Sequence, residues 1–195
     1  ARAERVNAVI APGSDFPVAI AARVAHSLGL AHPLTTAAAV LATNKQRQRA
    51  RLAEAGVPQP RSTVLDSGGE AVELPCVVKA PDRQGQRGLS VVRDERELRP
   101  AIERAIEASR TDFAVVEELV AGPELTVNAF SVDGRYHALT VTDRVVAEPP
   151  AFGVALAHVW PSERATDAVV RAAHAAAEAV GVRNGPTYTQ VLAGP

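Results

Sequence analysis

The 195-residue sequence predicts an α+β chain, on three observations. Asp133-Gly134 joins two long alternating segments, Glu124–Val132 and Arg135–Val146, which is the pattern of a tight antiparallel hairpin. Cys76–Lys79 and Leu89–Val92 are β-branched runs joined by the glycine-bearing loop Asp82–Gly88, so the glycines link two strands and do not open a helix. Between such runs lie helical patterns with marked ends.

In chain order, Val6–Ile10 is a first strand, followed by the turn residues Pro12–Asp15 and a helix from Phe16 to Leu30 with Gly29 near its end. Thr35-Thr36 precedes the Ala-rich run Ala37–Ala42. Asn44 then caps a basic helix from Lys45 to Ala55, closed by Gly56 with Pro58 just beyond. Arg61–Leu65 and Cys76–Lys79 form strands around a turn at Asp66–Gly69. Asp94 opens a helix running to about Ser109, and Phe113–Val116 is a strand that continues into Glu117–Val120 before the breakers Gly122-Pro123. After the hairpin, a proline-rich connection at Glu148–Pro150 leads to a helix from about Ser162 to Val180. Thr187–Leu192 is the last strand.

Composition excludes several functions. Twenty-one Lys and Arg against 22 Asp and Glu give no large field for non-specific nucleic-acid binding. One cysteine, Cys76 in an apolar run, permits no disulfide framework and fits a cytoplasmic setting, where it serves as a small core hydrophobe. No stretch approaches the roughly 18 to 20 apolar residues of a membrane span, and the charged start Ala1–Arg5 does not read as a secretory leader. The absence of methionine and a strand starting almost at once predict a fragment, in contact with the remainder of a larger chain or forming a homodimer.

The chemistry lies in the middle. A lysine in the apolar strand Val77-Val78-Lys79-Ala80 is costly unless its ammonium reaches water or an anion. Gly85 and Gly88 permit left-handed backbone, which lets N–H groups approach phosphate oxygens, and Arg87 can add a charge-assisted contact. Taken singly these pieces also suit a solvated lysine and an ordinary hairpin loop. No Gly-Lys-Ser/Thr follows, so the loop is not a P-loop.

The order of the pieces resembles the ATP-grasp superfamily over nearly the whole chain. Lys45 in Asn44-Lys45-Gln46-Arg47 opens a helix that ends in Ala55-Gly56-Val57-Pro58-Gln59-Pro60, Val77-Val78-Lys79-Ala80-Pro81 stands for the strand with the second phosphate-binding cation, and Gln84–Gly88 stands for the flexible lid. The resemblance implies that Lys45 and Lys79 hold the α- and β-phosphates of ATP, with Gly85, Gln86, Arg87 and Gly88 closing over the γ-phosphate. It makes Glu117, Glu118, Leu119 and Val120 the adenine-edge hinge and Glu124 the ribose ligand. Thr189-Gln190-Val191 matches the strand bearing a first Mg²⁺ ligand, Gln190. The family's second carboxylate, asparagine and arginine would lie beyond Pro195. Arg144, beside Asp143, and His158 fall where family members place acyl-acceptor or phosphate contacts. A surface ion pair and an exposed-loop histidine are their plainer readings.

The implied fold is a layered ATP-grasp fold with a remnant of an N-terminal α/β domain at residues 1–40. A connecting helix at 41–61 leads to a lid subdomain at 62–119 and an incomplete, larger antiparallel-sheet subdomain at 120–195. The implied function is an ADP-forming ligase of the amino-acid, dipeptide or carbamoyl phosphate synthetase-like type. It would use ATP and Mg²⁺ to activate a small-molecule carboxylate as an acyl phosphate for an amine, with no nucleic-acid or membrane partner. The competing reading is a nucleotide-binding module without chemistry.

Overall fold

A helix begins where a side chain can satisfy its free N–H groups, and besides Thr35, which accepts from the Ala38 N–H, three further caps act in this way. Asn44 accepts from the Arg47 N–H, Asp94 and Glu97 form a reciprocal capping box, and Thr166 accepts from the Val169 N–H. The computed structural model describes residues 5–11, 15–66, 73–83, 86–147 and 153–194. Its helices are α1 (Phe16–Ser27), α2 (Thr36–Thr43), α3 (Lys45–Glu54), α4 (Glu95–Ala108) and α5 (Asp167–Val180). The strands are β1 (Ser62–Leu65), β2 (Cys76–Lys79), β3 (Ser90–Val92), β4 (Ala114–Glu118), β5 (Glu124–Val132), β6 (Arg135–Val146), β7 (Ala155–Val159) and β8 (Gly185–Leu192).

The strands form two four-stranded sheets, β1-β4-β2-β3 and β7-β6-β5-β8, with antiparallel pairing throughout. This is the α+β class that the sequence predicts. Helix α4 covers the first sheet, packing Ala101, Ile102 and Ala105 on Leu65, Cys76, Val78, Val92 and Val116. Helix α5 covers the second, where Val169 and Ala173 meet Leu125 and Val127. A third cluster, Leu52, Val57, Ala179 and Val180, ties α3 to α5. Apolar burial thus anchors one face of each sheet. The other face of the second sheet is mixed, with Glu124, Thr126 and Gln190 alongside the exposed Phe130 and Tyr188.

Three expectations need correction. Val6–Ile10 is not a strand: none of the described strands pairs with it, and an unpaired segment leaves its backbone groups to water. Ile10 is accordingly 77% exposed. The stretch read as a connection contains β7, an edge strand exposed along its length. The final helix starts at Asp167, five residues later than Ser162, because Thr166 supplies the cap. Among the described residues no helix is long and apolar enough to cross a membrane.

Candidate functional site

Residues from both sheets and from α3 line one open cleft. Lys45 is the first residue of α3, placed there by the Asn44 cap. Its backbone N–H donates to the Pro81 carbonyl at 3.1 Å, and its ammonium donates to the Arg83 carbonyl. Burial, and then the nearby Lys79 charge, pull the Lys45 ammonium below its ordinary pKa. Two cations are therefore held together in a partly dry place, a costly arrangement that a polyanion would relieve.

Lys79 ends β2, opposite Val115 of β4, and reaches Glu117 at 2.5 Å. Glu117 is buried. Arg49 of α3 also holds it, Nε to Oε1 at 3.0 Å and Nη2 to Oε2 at 3.3 Å. Burial works to raise the Glu117 pKa, but the Lys79 and Arg49 charges outweigh it and leave the carboxyl below its usual range. Glu118, the next residue, points the other way along the strand alternation and pairs with Arg61 at 3.1 Å on the surface. Leu119 and Val120 follow as half-buried cleft residues, and the Leu119 N–H donates to the Pro75 carbonyl at 3.4 Å.

In the glycine loop, Gln86 has a left-handed backbone with φ +63°, and the exposed Arg87 lines the cleft beside it. The loop reaches the opposite wall: a Cβ on Gly153 would lie 3.3 Å from the Gln86 amide nitrogen. Gly88, with φ +69°, instead packs on α4. A Cβ there would come within 2.8 Å of the Ala108 Cβ and 3.1 Å of the Ala105 Cα. Its glycine thus has a packing reason, whatever it does for a ligand. Gly85 lies outside the described residues.

The second sheet supplies the other wall. Glu124 opens β5 and pairs with the Arg144 guanidinium of β6, whose Nη2 donates to the Gly153 carbonyl at 2.8 Å. The Arg144 Nε is buried with no hydrogen-bond partner among the described residues. Asp143 binds the Ser162 hydroxyl at 2.5 Å and Arg164 at 2.9 Å, turned away from Arg144 as neighbours on a strand are. His158 lies on β7, not on a loop, with Nδ1 3.2 Å from the Thr142 hydroxyl. Gln190 is exposed on β8, paired in register with Thr126. Among the described residues no group of three or more His, Cys, Asp or Glu side chains is placed to hold a metal. One amide oxygen is a weak start for Mg²⁺, which prefers several hard oxygens, so these residues do not by themselves form a magnesium centre. The cationic wall, by contrast, fits a nucleotide's phosphates.

The residue that sequence reasoning missed is Arg49. A signal was present, since it follows Lys45 by four positions and so shares a face of α3.

Residues 46–178 match the sequence family described as D-ala D-ala ligase C-terminus. The chain belongs to that family. As a member of the D-Ala–D-Ala ligase C-terminal family it is an ATP-grasp protein of the carboxylate–amine ligase kind, which agrees with the order of motifs in the sequence. It is 35% identical over 97 residues to a D-alanine–D-alanine ligase of Desulforudis audaxviator, covering 46% of this chain and 31% of that one. A D-alanine–D-alanine ligase of Syntrophotalea carbinolica is 35% identical over 103 residues, with 50% and 32% covered. The chain thus spans about a third of the length of these curated relatives. Two crystal structures share its fold. An L-amino acid ligase from Bacillus licheniformis superposes with a TM-score of 0.81 at 22% identity, covering 93% of this chain and 44% of that one. The VanG D-Ala:D-Ser ligase from Enterococcus faecalis gives 0.77 at 18% identity, with 89% and 55% covered.

Proposed function

We propose that the cleft binds ATP and that this chain is the nucleotide-binding region of an ADP-forming ligase, which joins a small-molecule carboxylate to an amine through an acyl phosphate. The observation that carries the reading is the convergence of Lys45 and Lys79, from separate elements, at the wall of an open cleft. Two partly desolvated ammonium groups side by side favour a ligand with several closely spaced negative charges.

In this reading a substrate carboxylate oxygen attacks the γ-phosphorus and ADP leaves with the bridging oxygen. The amine then attacks the acyl carbon and inorganic phosphate departs. Lys45 and Lys79 neutralise phosphate charge, so their contribution is positioning and electrostatic. Backbone groups of residues 117–120 face the adenine edge. Glu124 accepts the ribose hydroxyls, which requires that it exchange or share its Arg144 partner, and Arg144 is then turned toward the transferring phosphate. Gln190 is the residue of this chain assigned to the accompanying metal. The division proposed is a lid at 62–119 facing a larger subdomain at 120–195, with 41–61 connecting them to 1–40.

Calorimetric titration with ATP and Mg²⁺ tests the proposal. Lys79→Ala and Glu124→Ala should each weaken binding by about 2 kcal/mol, more than tenfold. Wild-type affinity retained in both variants would sink the site assignment.

A further inference from the structure

The ion-pair group at the root of the cleft gives Glu117 a task besides the adenine edge. Its carboxylate is 4% exposed, and its hydrogen-bond partners among the described residues are all cations: Arg49 Nε at 3.0 Å, Arg49 Nη2 at 3.3 Å and Lys79 Nζ at 2.5 Å. That takes three of a carboxylate's roughly four acceptor positions. The carboxylate is therefore committed mainly to the two cations, with about one acceptor position left over.

Arg49 is itself held on the far side. Its Nη1 donates to the Gln59 Oε1 at 3.4 Å, and the Gln59 amide donates back to the Arg49 carbonyl at 2.8 Å. Gln59 follows the turn that ends α3, so the segment carrying Lys45 also fixes Arg49. The result is a chain of contacts from Gln59 through Arg49 and Glu117 to the Lys79 ammonium. Without Arg49, Glu117 would answer to Lys79 alone and could turn, taking that ammonium with it.

We propose that Arg49 is a positioning residue for phosphate binding: acting through Glu117, it holds the Lys79 ammonium in place for the nucleotide phosphates. The inference rests on the ATP reading above and adds to it a residue and a route of action.

A double-mutant cycle read with two ligands tests it, using ATP with Mg²⁺ and adenosine as probes of wild type, Arg49→Met, Arg49→Lys, Lys79→Met and the Met/Met double variant. Arg49→Met should weaken ATP about tenfold and adenosine less than about twofold, and Arg49→Lys should recover most of the loss. In the Lys79→Met background, Arg49→Met should cost less than about threefold, since the cation it positions is gone. A full tenfold loss persisting in that background would mean that Arg49 touches the phosphates directly, and equal losses for ATP and adenosine would mean a general packing role. Either result overturns the inference and leaves the ATP reading intact. A wild-type chain that does not bind ATP overturns both. Should Arg49→Met fail to fold by circular dichroism, Arg49→Gln, which keeps hydrogen-bond donors, takes its place with the same expectations.

Discussion

On the wall built from β1–β4 and α3, three charges are locked together around one buried carboxylate, Arg49, Glu117 and Lys79, with Lys45 beside them. On the wall built from β5–β8, one pair, Glu124 with Arg144, lies on a sheet face that also carries Thr126, Thr142, Tyr188 and Gln190. The first wall has its charges placed by folding, so little reorganisation remains when an anion arrives. The second offers hydrogen-bonding groups and a single ion pair. The difference follows from where the apolar support lies: α4 and α5 back both sheets, but only the first has a helix start, α3, delivering cations to its edge.

The comparison can be broken first through its scaffold. Leu125 is fully buried between β5 and α5, and Leu125→Ala should destabilise the fold by about 3 kcal/mol in denaturant unfolding. A loss below about 1 kcal/mol would show that α5 does not support that wall. Next comes Glu117→Gln, which should cost about 2 kcal/mol at neutral pH by weakening both ion pairs. Because the folded Glu117 pKa lies below its ordinary value of 4.5, its stabilisation is present above that value and is lost as pH falls through the folded value. Wild type should therefore lose stability on acidification below about pH 4.5, and the variant should lose less. Identical acid limbs in urea melts would argue against the buried cluster.

The smallest effect has the opposite sign. The Lys45 pKa is lowered in the fold, so its charged form costs stability at neutral pH, a cost that disappears as pH rises past 10.5. Lys45→Met should raise thermal stability by up to about 1 kcal/mol while weakening the proposed ATP binding. A lower melting temperature would show that the Arg83 carbonyl contact matters more than the burial of charge.

Much of the fold was legible because its signals are local. Asn44 and Asp94 cap the helices they were expected to cap, and Asp133-Gly134 makes its hairpin with φ of 51° and 84°. Strand β7 was missed since all five of its residues are exposed, and a strand with no buried face carries no alternation to read. Val6–Ile10 failed for the converse reason: it has the composition of a strand but no partner among the described residues. At the site, Lys79 stood out as a charge in an apolar strand, whereas Glu117 was read only as part of the adenine-edge hinge, since nothing near it in the chain marks its pairing with Arg49.

By itself the sequence determined most of the element types, the caps of α3 and α4, the hairpin and the family, since each is written in residues a few positions apart or in a fixed order of motifs. Only the tertiary structure decided the sheet orders, the packing of Gly88 against α4 and the meeting of Arg49 with Glu117, 68 positions away. Side chains so far apart in the chain share no periodicity. What brings them together is the burial of apolar faces, and the charges must then find partners where that burial leaves them.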